Sequence, residues 1–197
     1  MVPILKRAEA LRRGVDELLY QRELHDIPIS FGEFWYTGSY ALDTMDWGDL
    51  DVHKVPHGDP QAVGPFFVLG RQLAGFEGVT IMTFHNTIAG PREPLPRGLF
   101  WGIRLDPGPV EEQWKIDLWA TNEDDYRAAR QTMDGIQDRM TEEGRRLILK
   151  TKQAILTPDG KTPRLSGYHI YQAVLYHGMR TVEDVVDYLR QQGVKDV

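Results

Sequence analysis

Strand-like and helix-like periodicities divide this chain near residue 121, and that division limits the folds open to it. Residues 33–37, Glu-Phe-Trp-Tyr-Thr, are short and rich in aromatic side chains, and residues 49–55, Asp-Leu-Asp-Val-His-Lys-Val, alternate strictly. Both patterns predict strands, as do residues 77–86, 98–105 and 113–120. Beyond Thr121 the apolar spacing becomes three and four. Residues 122–155 are predicted helical with a break near Thr141, followed by short helices over 168–178 and 181–192. Thr141 and the Thr181/Asp184 pair are placed as caps. An amphipathic helix is expected over residues 3–23, where Ile4, Leu5, Ala8, Leu11, Val15, Leu18 and Leu19 share one face. Another is expected over 60–74, starting at Pro60 behind Asp59. Residues 40–45 suit one or two helical turns, and loops are expected from Ala89 to Gly98 and over 156–167. Strands segregated from helices predict an α+β core with a helical C-terminal part, divided as residues 1–121 and 122–197.

Composition narrows the functions. Hydrophobic residues make up 41% of the 197 and charged residues 26%, enough to build a packed core. The formal net charge of −6 argues against extended duplex DNA as a partner, because broad phosphate contact needs a basic face. The absence of cysteine excludes disulfides, thiolate zinc sites and cysteine nucleophiles. No apolar run approaches the roughly 20 residues that span a bilayer, and no secretory leader is recognisable, so no membrane partner and a cytoplasmic location are expected.

Asp49 and Asp51 are two apart on a predicted strand, so both carboxylates lie on one face. Two adjacent carboxylates repel, and a divalent cation removes that cost. Mg²⁺ favours such a site because it binds a few carboxylates together with waters and substrate phosphate oxygens. Gly38-Ser39 follows the preceding strand and breaks it; glycine there lets backbone approach a phosphate closely, and the serine offers a hydroxyl. Taken singly, each feature is also an ordinary surface strand or turn. Their spacing, Gly-Ser and then nine residues before Asp-Leu-Asp, is less ordinary.

The stretch Tyr36-Thr-Gly-Ser-Tyr-Ala-Leu-Asp-Thr-Met-Asp-Trp-Gly-Asp-Leu-Asp-Val-His53 resembles the signature of the DNA polymerase beta-like nucleotidyltransferase superfamily. The resemblance covers roughly residues 30–120. It implies a small mixed β-sheet with helices packed on one face, and a third carboxylate on a later strand, for which Asp117 in Ile-Asp-Leu is the candidate. It further implies that Gly38 and Ser39 hold the β- and γ-phosphates of a nucleoside triphosphate such as ATP. Asp49 and Asp51 would ligate two Mg²⁺ ions, or Mn²⁺ in their place, and Asp117 would complete the ion nearer the acceptor. The activity implied is transfer of a nucleoside monophosphate to an acceptor hydroxyl on a small molecule, a protein or an RNA end. A non-catalytic NTP-binding regulator, such as a toxin–antitoxin component working through a partner, is the alternative. A metal-dependent phosphohydrolase is a third reading.

Other residues carry weaker signals. The resemblance implies a basic residue from a following helix near the triphosphate; Lys150 and Lys152 lie on that helix, and Lys150 is the candidate. A solvated helix face shared with Arg145 and Arg146 is the competing reading, and the simpler one, for Lys150. Tyr168 opens a later helix, where it can stack on a base or simply pack, and Ser166 can cap or contact the nucleotide. His53 shares the face of Asp51, while His57 and His85 show no metal-ligand spacing. Trp35, Trp101, Trp114 and Trp119 are expected in packing roles, and Trp47 in the loop between Ser39 and Asp49, where exposure is expected. The C-terminal helix pair lacks a basic recognition helix, since Glu183, Asp184 and Asp187 stand where phosphate contacts would be needed.

Overall fold

The computed structural model describes residues 3–56, 62–90, 95–106, 108–109, 113–158, 160–163 and 165–197. Helix α1 (Pro3–Asp16) runs into a π-helical turn at Glu17–Gln21. Helix α2 is a single turn, Asp26–Ile29. Strand β1 (Phe34–Thr37) leads directly into the short α3 (Gly38–Ala41), and β2 covers Asp49–Lys54. Then come α4 (Val63–Ala74), β3 (Val79–Asn86), β4 (Gly98–Leu105) and β5 (Trp114–Thr121). The C-terminal part is α5 (Glu123–Arg139), α6 (Glu142–Ala154), α7 (Ser166–Tyr171) with a π-helical Gln172–Tyr176, and α8 (Val182–Gln191).

The strands form one mixed sheet in the order β1-β2-β5-β4-β3. Only β2 and β5 run parallel; the other neighbours are antiparallel. Alternation gives the sheet two unlike faces. Leu50, Val52, Leu99, Trp101, Ile103, Leu105, Trp114, Ile116 and Leu118 point to the face covered by α1 and α4, where they meet Leu11, Val15, Phe66, Leu69 and Leu73. The opposite face carries the half-buried residues of the same strands, Asp49, Asp51 and Asp117 among them. This is the mixed sheet with helices on one face that the resemblance implies.

A second apolar cluster joins Ile136, Ile148, Ile155, Ile170, Val174, Val185 and Leu189 of the C-terminal helices, and it takes in Leu42 from the loop after α3. Ile4 and Ala8 of α1 form a third, small cluster with Leu149 of α6, while Leu11 and Val15 of the same helix belong to the sheet core. Asn122, Thr141 and Thr181 each accept a hydrogen bond from the third backbone N–H that follows, the expected cap geometry for α5, α6 and α8.

Several boundaries differ from the sequence expectation. The helix expected over 3–23 changes to π geometry after Asp16, because spacing of three and four does not separate i→i+4 from i→i+5 bonding. The turns expected over 40–45 occur earlier, at Gly38–Ala41, and Asp43 sits at φ 54°, which no helix continues through. The described part of the fourth helix begins at Val63 behind Ala62; the Asp59-Pro60 start, His57 and residues 91–94 of the Gly- and Pro-rich loop lie outside the described residues. The penultimate helix begins at Ser166 rather than residue 168.

Candidate active site

Strand register builds the site. Because β2 and β5 are parallel neighbours with Asp51 opposite Asp117, and Asp49 opposite Lys115, the side chains of two sequence-distant strands meet on one face. Thr37 at the end of β1 lies opposite Asp51, which delivers Gly38 and Ser39 to the same end of the sheet. One ligand atom from each of Asp49, Asp51 and Asp117 falls within 4.8 Å of the others. Gly38 has φ 63°, and a Cβ added to it would collide with Asp51 Oδ2, so both the backbone conformation and the close approach require glycine.

The spacer between Ser39 and Asp49 is clamped from both sides. Arg7 and Arg12 of α1 donate to the carbonyls of Asp46 and Tyr40. From α6, Arg145 pairs with Asp43 at 2.7 Å and donates to its carbonyl. Lys152 donates to the Thr44 carbonyl at 2.9 Å and pairs with Asp46 at 3.3 Å, both side chains being 5% exposed. Thr44 and Tyr171 hydroxyls are 2.7 Å apart. Gly48 lies against the Trp114 indole, where an added Cβ would come within 2.8 Å. These contacts fix the position of Asp49 at the start of β2.

The electrostatics suit a cation. Burial pushes Asp51 up to about 8, and repulsion from Asp49 and Asp117 adds to it. Burial also raises Asp49, against the lowering pull of Lys115. Lys115 Nζ lies 2.6 Å from Asp117 Oδ2 and 3.3 Å from Asp49 Oδ1. Burial acts against its charge, but attraction to Asp49 and Asp117 outweighs this and raises its pKa. Asp117 Oδ1 is nonetheless buried without a hydrogen bond, and Asp49 Oδ1 has only the Lys115 ammonium beside it. A buried, unpartnered carboxylate oxygen beside two further carboxylates belongs to the donor set a hard divalent cation takes, so the residues present fit Mg²⁺ or Mn²⁺. Asp49 and Asp117 keep 19% and 16% of their side-chain surface exposed, which leaves them reachable from solvent.

A cleft of about 320 Å³ opens over these groups, lined by Gly38, Ser39, Asp49, Asp51, Lys115 and Lys152 on one side and by Thr162, Leu165, Gly167, Tyr168 and Tyr171 on the other. Tyr168 is 54% exposed at its rim. Lys150 is exposed and does not line the cleft; Lys152 does, because two residues turn a helix by about 200° and bring it to the opposite face. Ser166 is buried as a turn residue donating to the Pro163 carbonyl. Trp47 is half-buried, with the ammonium groups of Lys115 and Lys161 5.6 and 5.8 Å from its ring. The sequence reading missed Lys115 and Asp46. Two-residue spacing from Asp117 would have placed Lys115 on the site face, while Asp46 carries no periodic signal. A wider recess of about 1120 Å³, lined in part by Arg22, Asp26, Arg71 and Glu77, lies elsewhere; the three aspartates are the one cluster of metal-ligating side chains among the described residues.

A mixed five-stranded sheet with Gly-Ser leaving its edge strand, and carboxylates on the two parallel neighbours beside it, is the arrangement that the resemblance of the Gly38-to-Asp51 stretch implies. Among solved structures, a chain of the GLD-2/RNP-8 complex aligns with 92% of this chain at TM-score 0.50 and 15% identity. A chain of the GLD-2–GLD-3 poly(A) polymerase complex aligns with 98% at TM-score 0.51 and 13% identity. At these identities the likeness is one of fold. The present chain spans 62% and 64% of the length of those two chains. No protein-family model matches the sequence, and no curated protein sequence matches it.

Proposed function

We propose that this protein is a Mg²⁺-dependent nucleotidyltransferase that moves a nucleoside monophosphate from an NTP to an acceptor hydroxyl and releases pyrophosphate. The observation that carries this reading is the meeting of Asp49, Asp51 and Asp117, with an unpartnered buried oxygen on Asp117, at the mouth of the Gly38-Ser39 cleft. Asp49 and Asp51 would hold the ions, with Asp117 as the third carboxylate ligand. Bound there, the ions supply positive charge to the attacking and leaving oxygens of an in-line displacement. Gly38 and Ser39 receive the β- and γ-phosphates, the buried ammonium of Lys152 lies beneath them, and Tyr168 at the rim offers a ring to the base. The acceptor oxygen bonds to the α-phosphorus as the α–β bridging bond breaks, and its proton passes to the Asp117 carboxylate. The protein does little covalent work; it positions reactants and neutralises charge. The poly(A) polymerase complex of the same fold lends the reading support at the level of reaction class.

Pyrophosphate release with each of four NTPs and Mg²⁺ tests the activity and separates it from NTP binding alone. Asp49→Asn, Asp51→Asn or Asp117→Asn should each lower the rate by about 1,000-fold, close to 4 kcal/mol of transition-state stabilisation, with the fold retained by circular dichroism. Calorimetry with Mg²⁺ and a non-hydrolysable NTP gives a second readout. Unchanged binding in the Asp49→Asn/Asp51→Asn double variant would sink the assignment.

A further inference from the structure

The sheet face that carries the carboxylates also carries a row of rings. Trp35 lies opposite His53, His53 opposite Trp119, Trp119 opposite Phe100, and Phe100 opposite His85, so one ring comes from each of the five strands. The next row on the same face is Thr37, Asp51, Asp117, Gly102 and Thr83. The ring row therefore begins two residues, about 7 Å, from the proposed metal ligands. Ring centroids are 5.6 Å apart for Trp35 and His53, 4.6 Å for Trp119 and Phe100, and 5.4 Å for Phe100 and His85.

One end of the row is covered by a helix. At the β1 end, Trp35 is covered from α5, with Arg130 Cζ 4.5 Å over its ring and Tyr126 edge-on at 5.8 Å. Trp119, Phe100 and His85 are half-buried on the face away from α1 and α4. Gly102 stands directly opposite Asp117 and has no side chain, and the Phe100 ring leans over it: an added Cβ would meet that ring at 2.9 Å. The row of rings thus reaches the strand position beside Asp117. In packing terms none of these rings is needed for the core, which lies on the other face.

We propose that the acceptor is the unpaired 3′ end of an RNA strand, whose last bases stack on Trp119, Phe100 and His85 while its terminal hydroxyl lies at Asp117. The proposal rests on the nucleotidyltransferase reading and names the substrate class of that site. Three rings on adjacent strands span about 10 Å, room for successive bases, whereas a tyrosine side chain or a single-ring metabolite would use one. A chain of net charge −6 draws little affinity from phosphate neutralisation, and stacking supplies it without a basic face. Stacking requires splayed bases, which a duplex hides. The terminal 3′ oxygen bonds to the α-phosphorus, pyrophosphate leaves, and the strand grows by one nucleotide.

Binding of a fluorescein-labelled 12-nucleotide oligoadenylate to the full chain, followed by anisotropy, tests this, with calorimetry of Mg²⁺ and non-hydrolysable NTP on the same samples. Phe100→Leu and Trp119→Leu should each weaken RNA binding about tenfold and raise the KM for RNA with kcat nearly unchanged. Nucleotide binding by the same variants should stay within about twofold, which a misfolded variant would not show. Equal RNA affinity in both variants, or no RNA binding by a wild-type chain that binds Mg²⁺ and NTP, overturns the acceptor assignment and leaves the transfer reading standing. Equal competition by the annealed duplex, or transfer to a tyrosine peptide in place of RNA, also overturns it. Failure of the wild-type chain to bind Mg²⁺ and NTP removes the transfer reading and the acceptor assignment together.

Discussion

Lys152 shows how single residues divide the labour of this site. Its ammonium is buried, and burial alone would lower its pKa; Tyr171 and Asp46 outweigh that and raise it. The group holds the carbonyl of Thr44 and the carboxylate of Asp46, so it organises the spacer from below. Lys152→Met should cost about 3–5 kcal/mol in urea unfolding, because it leaves Asp46 charged and unpaired in the interior. Adding Asp46→Asn should recover part of that loss; a double variant no more stable than the single one would show that the pair is not coupled. Lys115 stands in contrast. Its Nζ sits between Asp49 and Asp117 and keeps their charges together, and ions entering between those carboxylates must displace it.

At the scale of elements, the site depends on how β2 begins. Gly48 lies against Trp114, and its carbonyl accepts the Lys115 N–H at 2.8 Å, so one residue sets both the packing and the register beside Asp49. Gly48→Ala should destabilise by about 1–3 kcal/mol through the clash with the indole, and weaken Mg²⁺-dependent nucleotide binding by moving Asp49. Thr141→Ala removes the cap of α6 and should cost about 1 kcal/mol in thermal unfolding, with nucleotide binding retained. Nucleotide binding unaffected by Gly48→Ala would mean that the start of β2 does not set the carboxylates. Most elements were legible because alternation and three-four spacing reflect which side chains face the core. The π turns were not legible, since they share that spacing.

For the whole molecule, the carboxylates link folding, protons and metal. Asp51 is raised from an ordinary value near 4 to about 8, so the folded chain holds its proton more tightly than the unfolded one. Its contribution to stability is complete below about pH 4 and is lost as pH rises through about 8. The metal-free chain should therefore lose stability from this group between pH 6 and 8.5. Mg²⁺ with a non-hydrolysable NTP should raise Tm by a margin that widens over the same interval, reaching roughly 5–10 °C at about a hundred times Kd. His53 has the opposite sign: burial lowers it to about 4, so its contribution is present above about 6.5 and lost on acidification through 4, outside this window. A thermal shift independent of pH from 6 to 8.5, or one retained in Asp51→Asn, would contradict the linkage.

The sequence by itself determined the periodicities, the Gly-Ser turn and the Asp-Leu-Asp strand at their set spacing, and hence the fold they belong to. Those are local properties: each is written in residues within one element or one loop. Tertiary structure decided what only strand register and helix rotation can bring together. It placed Asp117 and Lys115 beside β2, though some 65 residues separate them in the chain. It turned Lys152 inward and left Lys150 in solvent, a consequence of the helix's phase against the spacer. It aligned five rings from five strands into one row, because pairing between distant strands is set by the fit of the whole sheet over its core.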